Sequence, residues 1–382
     1  MAAIGQKKVV VIGGGYGGVE AAKSMDKAFD VALITGRESF LHVVGGLRAS
    51  VVPGYHQRLL IPYEKTLKRG KKKVFCCPAT KIDPVTSTVT VSSGEVVPYD
   101  FLILATGMLH PKTVGVANGK ATGSELAAVF DQARTKVSAA QRILVVGGGP
   151  IGIEMAGEIA EVFPEKEVTL VTSKELMLSP HVQYPEKLRT KLRTKLASVG
   201  VTVHTDVGRV SVDLSAVDEC GFITETKNYK WMGGEIEADL CIVATGAIQA
   251  PPLYADSGLK SWMNDRGELK VERTLEVKGA GGNVFAIGDS VDLPVPKIAY
   301  LAGIMGHSIS KNIAAKVAGK PLKDIAPVPE PVTLVPVGSN GGVSSMPMGF
   351  VFGDFLTRTV KSKDLFVGKY WGLMGAGNPP AV

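Results

Sequence analysis

The chain has 382 residues, 45% hydrophobic and 21% charged, which excludes a disordered chain and points to two or three domains. Its 45 glycines follow no collagen period, so they mark turns and close backbone approaches, and its four cysteines form no disulfide framework and suit a reducing compartment. A net charge of +7 permits attraction to anionic ligands or surfaces without marking a nucleic-acid binder, and no uncharged apolar run approaches the ~18 residues of a membrane span.

Residues 8–13, Lys-Val-Val-Val-Ile-Gly, are an apolar run that stops at glycine, the pattern of a parallel strand buried on both faces. A glycine cluster, a helical stretch from Gly18 to Ala28 and a strand at 30–34 complete a βαβ unit. The pattern returns as a strand at 142–147, a second cluster, a helix through Val162 and a strand at 167–171. Asp100-Phe-Leu-Ile-Leu-Ala-Thr-Gly107 is echoed by Asp239-Leu-Cys-Ile-Val-Ala-Thr-Gly246, so the chain holds two similar modules. Residues 85–97 alternate and are rich in β-branched side chains, which predicts an antiparallel insert. Residues 284–289 read as a strand ending Gly-Asp, the stretch after Pro296 as a helix, and 327–331, Pro-Val-Pro-Glu-Pro, as a linker. The tail beyond carries Met346, Met348, Phe350, Phe352, Phe355, Phe366 and Trp371. It reads either as a small packing domain or as a lipid-facing mouth.

Gly13-Gly14-Gly15-Tyr16-Gly17-Gly18 contains GxGxxG between a strand and a helix. Gly13 permits the tight turn, Gly15 lets a pyrophosphate approach the backbone, and Gly18 lets helix pack on strand, with phosphate at the positive end of the helix dipole. Gly147-Gly148-Gly149-Pro150-Ile151-Gly152 repeats the device. Two dinucleotide sites on one chain imply electron transfer from a nicotinamide to a flavin. Asp289, after Gly288, can accept hydrogen bonds from a polyol such as the flavin ribitol, which puts FAD at the first module and NAD(P)H at the second. Ala105, Thr106 and Gly107 are assigned to FAD, and Thr245 and Gly246 to NAD(P)H.

The ordered set of both glycine motifs, both Ala-Thr-Gly turns and Val284-Phe-Ala-Ile-Gly-Asp289 resembles the two-dinucleotide-binding-domain flavoproteins. These include glutathione reductase, type II NADH dehydrogenase and apoptosis-inducing factor relatives. Leu47-Arg-Ala-Ser-Val51, Pro164-Glu-Lys-Glu-Val-Thr-Leu170, Pro296-Lys-Ile-Ala-Tyr-Leu-Ala-Gly303 and Lys361-Ser-Lys-Asp-Leu-Phe-Val367 look most like the ferroptosis suppressor (apoptosis-inducing factor 2, AMID) group, over nearly the whole chain. The resemblance implies an α/β fold of two Rossmann-like domains, one inserted in the other, plus a small C-terminal α+β domain. The FAD-binding domain would span 1–115 and 250–326, the NAD(P)H-binding domain 116–249, and the C-terminal domain 327–382. It also implies FAD contacts from Gly13, Gly14, Gly15, Tyr16, Gly17, Gly18, Arg48, the backbone near Thr80, Gly288, Asp289 and Ala299. NAD(P)H would meet Gly147, Gly149, Pro150, Ile151, Gly152, Glu154, Thr172, Ser173 and Lys174. Glu154 would face the nicotinamide near the flavin, Lys297 and its helix dipole would stabilise reduced flavin, and Tyr300 would line the acceptor pocket. The residues alone leave alternatives open: a surface arginine for Arg48, a helix-dipole carboxylate for Glu154 and a core aromatic for Tyr300.

NAD-selective units usually carry an acid about 20 residues beyond the glycines. Here the second module's strand ends Thr172-Ser173-Lys174, so NADPH should be accepted. The first ends Ile34-Thr35-Gly36-Arg37, where Glu38 or backbone must hold the FAD ribose. Cys76 and Cys77 are adjacent, outside any CxxC arrangement, so electrons should leave the flavin directly. The six histidines lack metal-ligand spacing, and no metal is expected. The basic run Lys65–Lys73 reads as a solvated loop, an anionic-membrane contact or, less well, a nucleic-acid contact. Residues 1–8 show neither a signal-peptide h-region nor a Met-Gly myristoyl start, so the expected location is cytoplasmic, with peripheral membrane attachment left open. The expected activity is FAD-dependent NAD(P)H:quinone oxidoreduction, with hydride passing to flavin N5 and a quinone of ubiquinone or vitamin K type reduced to quinol. The alternatives are another acceptor on the same scaffold (monodehydroascorbate or a ferredoxin-like protein), a membrane-docked respiratory dehydrogenase, or a non-enzymatic, redox-sensing, nucleic-acid-binding regulator.

Overall fold

The computed structural model describes residues 7–68, 74–110, 113–116, 119–177, 182–246, 250–325 and 332–382. The proposed linker 327–331 and residues 69–73 of the basic run lie outside them. In chain order the elements that position the site begin with β1 (Lys8–Ile12), α1 (Tyr16–Met25), β2 (Asp30–Ile34), β3 (Val74–Phe75) and β4 (Phe101–Leu104). The second module supplies β5 (Arg142–Val146), α2 (Pro150–Val162), β6 (Glu167–Val171), α3 (Glu186–Ser198), β7 (Val201–His204), β8 (Phe222–Ile223) and β9 (Leu240–Val243). Then come β10 (Val284–Ala286), α4 (Ala299–Val317), β11 (Thr333–Pro336), β12 (Gly342–Ser345), β13 (Val351–Phe352) and α5 (Val367–Met374).

Val9–Ile12 and Ile143–Val146 are buried throughout, so both strands can only sit at the centre of sheets covered on both faces. The first sheet has the order β10-β4-β1-β2-β3, all parallel. The second has the order β7-β6-β5-β9-β8, parallel except for β8. β10 thus joins, from far along the chain, the sheet that residues 8–104 begin. Ala79–Asp83, Thr88–Val91 and Val96–Pro98 form an antiparallel meander that starts six residues earlier than the alternation suggested. Helix α1 begins at Tyr16 rather than Gly18, because Gly15 already takes the extended N-cap conformation.

The aspartate that opens each repeated string has a common task. Asp100 accepts from the N–H of Lys8 at 2.7 Å, and Asp239 from the N–H of Arg142 at 2.9 Å, so each pins the start of its central strand. Arg142 also donates a side-chain bond to Asp239, which with the backbone donors holds that carboxyl down at about 2. An unfolded Asp titrates near 3.9. The contribution of Asp239 is therefore present above about pH 4 and lost as the pH falls through about 2. Melting curves should show wild type losing stability faster than Asp239→Asn across that window. Parallel curves would refute the assignment.

Residues 332–382 form an antiparallel sheet, β11-β12-β13, followed by α5. This segment reaches both modules. Trp371 Nε1 donates to the Arg58 carbonyl at 2.8 Å, and Lys23 donates to the Leu373 carbonyl. On the other side Lys195 of α3 pairs with Asp354 at 3.0 Å, and the Ser339 N–H donates to Glu161 of α2 at 2.6 Å. Among the described residues no helix is long and apolar enough to cross a membrane.

Candidate active site

The two glycine-rich turns have matching stereochemistry. Gly13 and Gly147 have φ of +117° and +129°, and a Cβ on either would collide with the carbonyl of Ala105 or Ala244. The first alanine of each Ala-Thr-Gly turn therefore lies against the first glycine of its module. A Cβ on Gly18 or Gly152 would strike the carbonyl oxygen of Gly13 or Gly147. A Cβ on Gly15 or Gly149 would meet nothing within 4 Å. These middle glycines are the N-caps of α1 and α2, and no side chain caps either helix. Open space in front of unpaired helix N–H groups is the environment a pyrophosphate needs, so both cradles fit a dinucleotide.

Around the first cradle, Tyr16 and Gly17 open α1, while Gly14 sits against the Thr35 hydroxyl at the end of β2. The Thr106 hydroxyl bonds to that of fully buried Tyr254. Gly107 and Gly288 both take positive φ at their strand ends. Asp289 is half-buried, and burial pushes its carboxyl above the usual carboxylate range against the pull of His110 and Lys297. Thr80 is exposed on the meander and bonds to the Thr90 carbonyl at 3.2 Å.

Three expected residues have surroundings the sequence did not show. Arg48 is 4% exposed, so it is not a surface arginine. Its Nε and guanidinium nitrogen bond to Glu158 of α2 at 2.9 and 2.6 Å, and it also reaches the Lys363 carbonyl at 3.4 Å. Burial alone would weaken this charge, but Glu158 outweighs it and holds the guanidinium above its ordinary value. Lys297 is not a free cation at the start of α4, because its ammonium bonds to the Val291 carbonyl and faces buried Glu268 at 3.6 Å. Tyr300 is 65% exposed on the first turn of α4, beside Ala299, which removes the core-aromatic alternative.

At the second cradle, Pro150 and Ile151 begin α2, and Gly148 packs on buried Thr172. Ser173 and Lys174 are exposed at the tip of β6, where the N–H groups of Gly208 and Asp206 reach their carbonyls at 3.2 and 3.3 Å. Thr245 and Gly246 are exposed beyond β9. Glu154 lies one turn into α2 and pairs with Lys361 at 2.8 Å.

Sequence reasoning missed Lys361 and Glu158 as partners. A signal was available: Glu154, Glu158 and half-buried Glu161 share one face of an otherwise apolar helix, and carboxylates drawn into such a face require partners. Each has them, in Lys361, Arg48 and the Ser339–Asn340 amides respectively.

Paired glycine-rich turns, each opening a helix beside the central strand of a mainly parallel sheet, define the fold of a two-dinucleotide oxidoreductase. The chain belongs to the pyridine nucleotide-disulphide oxidoreductase family, whose model matches residues 7–306. It is 33% identical over 378 residues to ferroptosis suppressor protein 1 of Homo sapiens, covering 98% of each chain. It is 30% identical over 377 residues to apoptosis-inducing factor homolog B of Dictyostelium discoideum, covering 96% of each. The sulfide:quinone oxidoreductase of Aquifex aeolicus shares the fold, with a TM-score of 0.73 at 18% identity over 98% of this chain and 93% of that one. The chain is a flavin-dependent NAD(P)H oxidoreductase of the ferroptosis suppressor and apoptosis-inducing factor type.

Proposed function

We propose that the chain passes electrons from NAD(P)H through FAD to a quinone. The observation that carries this reading is the pair of open cradles without a dithiol on either glycine-rich turn: all four cysteines are free, and Cys220 and Cys241 are buried in the second module. Bound at the first cradle, FAD supplies two-electron carriage between nicotinamide and acceptor. Residues 1–115 with 250–326 form the FAD domain in this reading, 116–249 the NAD(P)H domain and 327–382 the C-terminal domain. The sharing of one sheet by β1–β4 and β10 supports the discontinuous assignment.

The side chains have distinct tasks. Asp289, half-buried beyond the end of β10, would accept from the ribitol hydroxyls. The uncapped N-terminus of α4 favours negative charge in front of it. The Lys361–Glu154 pair lies one turn into α2, and in this reading the nicotinamide would lie beside it. Tyr300 is open to an incoming acceptor. Met348, Phe350, Phe352 and Phe355 are exposed apolar side chains of the C-terminal segment, Met348 and Phe355 at 82% and 85%, which suits a hydrophobic quinone delivered from lipid.

Anaerobic titration tests the reading: NAD(P)H should bleach the flavin, and a ubiquinone analogue should restore its absorbance, faster when presented in anionic lipid vesicles. A colourless or unbleachable protein would overturn it. Reoxidation only by monodehydroascorbate or a ferredoxin-like protein would move the function to that acceptor. Lys174 is the cation at the NAD(P)H ribose end, so Lys174→Glu should raise the KM for NADPH about tenfold, about 1.4 kcal/mol, and leave that for NADH nearly unchanged. Equal KM changes for both donors would remove Lys174 from that role.

A further inference from the structure

We propose that His42 is a positioning residue for electron transfer: its neutral imidazole fastens the turn Lys361–Phe366 to the first glycine-rich turn and thereby sets the Lys361–Glu154 pair at the second. The inference rests on the oxidoreductase reading for the role of Glu154.

His42 follows the short strand Ser39–Leu41 and is fully buried. Its Nε2 lies 2.7 Å from the Leu365 carbonyl, which can only accept, so Nε2 carries the proton. Nδ1 is then the acceptor for the Tyr16 hydroxyl at 3.1 Å, and that hydroxyl receives the Val44 N–H at 3.3 Å. Only the neutral imidazole satisfies every group in this chain once. Burial agrees with it, pushing the ring down to about 4 against the Leu365 carbonyl and Asp364, with Lys361 adding to the downward push. The Tyr370 ring closes over both partners, 4.7 Å from His42 and 5.0 Å from Tyr16.

The fastened turn requires such a restraint. Leu365 and Phe366 have φ of +54° and +64°, two consecutive non-glycine residues in the left-handed region. Each is strained there and persists only where neighbours enforce it. His42 supplies one restraint. The Asp364 carboxylate supplies another by accepting from the N–H groups of Phe366 and Gly368 at 3.0 and 3.3 Å. The Leu365 N–H returns to the Lys361 carbonyl at 2.7 Å, and Lys361 Nζ reaches Glu154 at 2.8 Å and the Leu334 carbonyl at 3.1 Å. Hydrogen bonds and the residues between them therefore link Tyr16, the first residue of α1, through His42, Leu365 and Lys361 to Glu154 on α2. Ring packing alone would need neither imidazole nitrogen, whereas this linkage uses both.

The test compares full-length wild type with His42→Leu, His42→Gln and Tyr16→Phe. It measures bound FAD per chain, flavin reduction by NAD(P)H per bound FAD, and amide exchange across residues 361–370 with and without FAD. His42→Leu should keep its FAD, exchange faster across that turn and reduce its flavin about tenfold more slowly. His42→Gln, whose amide can still donate to the Leu365 carbonyl, should recover most of the rate, and Tyr16→Phe should fall between them. Adding His42→Leu to Lys361→Met should slow reduction no further than Lys361→Met alone. The proposal fails if His42→Leu matches wild type in rate and exchange. It fails equally if His42→Leu merely loses FAD while each remaining flavin reacts at the wild-type rate. Should His42→Leu not fold, rescue in His42→Gln and the rate of Tyr16→Phe decide the matter. If wild-type flavin is not reduced by NAD(P)H, the oxidoreductase reading fails instead, and the exchange data still judge His42.

Discussion

Gly149→Val is expected to yield a folded, yellow protein whose flavin is bleached by dithionite but no longer by NAD(P)H. Gly149 has φ −78° and ψ 178°, extended backbone that any residue adopts. A Cβ there meets nothing within 4 Å, so the substitution carries neither strain nor collision with the rest of the chain. The valine methyl groups would instead fill the space through which a pyrophosphate reaches the helix N–H groups. Loss of those contacts should weaken NAD(P)H at least a hundredfold, about 2.7 kcal/mol or more. Gly15→Val, at φ −83° and ψ −166°, should fold equally well and purify colourless, because the same logic empties the first cradle. Gly147→Val and Gly152→Val are poor substitutes for this test, since a Cβ at either collides with backbone. Melting curves, flavin per chain and anaerobic bleaching separate these outcomes. A Gly149→Val protein bleached at wild-type NAD(P)H concentrations would remove the nicotinamide from the second module.

The cradles were legible in the sequence because their chemistry belongs to the backbone. Strands at 30–34 and 167–171 were read to the residue, since apolar runs bounded by charge or glycine leave little freedom in register. Glycines at 13, 15 and 18 announce a turn, an approach and a packing contact without reference to distant residues. The repeated Asp100 and Asp239 were visible as a repeat, but their pinning of β1 and β5 was not, because the partner is an N–H brought alongside by the sheet. Sequence pattern starts helix α1 two residues late, because glycine's poor helix propensity masks a start fixed by the N-cap. The charges were hardest to read. Arg48 finds Glu158 across 110 residues, and Lys361 finds Glu154 across 207. No local spacing encodes either pair, since one depends on how α2 meets the first module and the other on how the C-terminal segment meets α2. Lys297 shows the same limit: its position before α4 was clear, but the buried Glu268 that engages it was not.

Glu158→Ala is expected to be among the most destabilising single substitutions in the chain, and worse than removing both charges of its pair. The Arg48 and Glu158 side chains are 5% and 3% exposed and joined by three bonds of 2.6–3.1 Å. Deleting the carboxylate leaves the buried guanidinium, among the described residues, with the Lys363 carbonyl at 3.4 Å, the face of Tyr55 at 5.6 Å and the more distant charge of Glu161. Stranding one charge in this way costs about 3–5 kcal/mol, whereas replacing both by apolar groups of similar volume is often close to neutral. On the usual unfolding-entropy scale, the single substitution should lower the melting temperature by roughly 4–6 °C. Arg48→Met/Glu158→Leu should regain most of that loss. A single variant that melts no lower than the double would show the pair to be uncoupled. The same variants decide what Arg48 is for. If its guanidinium serves the FAD pyrophosphate, both variants lacking it bind flavin poorly whatever stands at 158. If it serves the junction between α2 and the short helix Gly46–Ala49, as its bonds indicate, the double variant regains flavin along with stability while Arg48→Met alone regains neither.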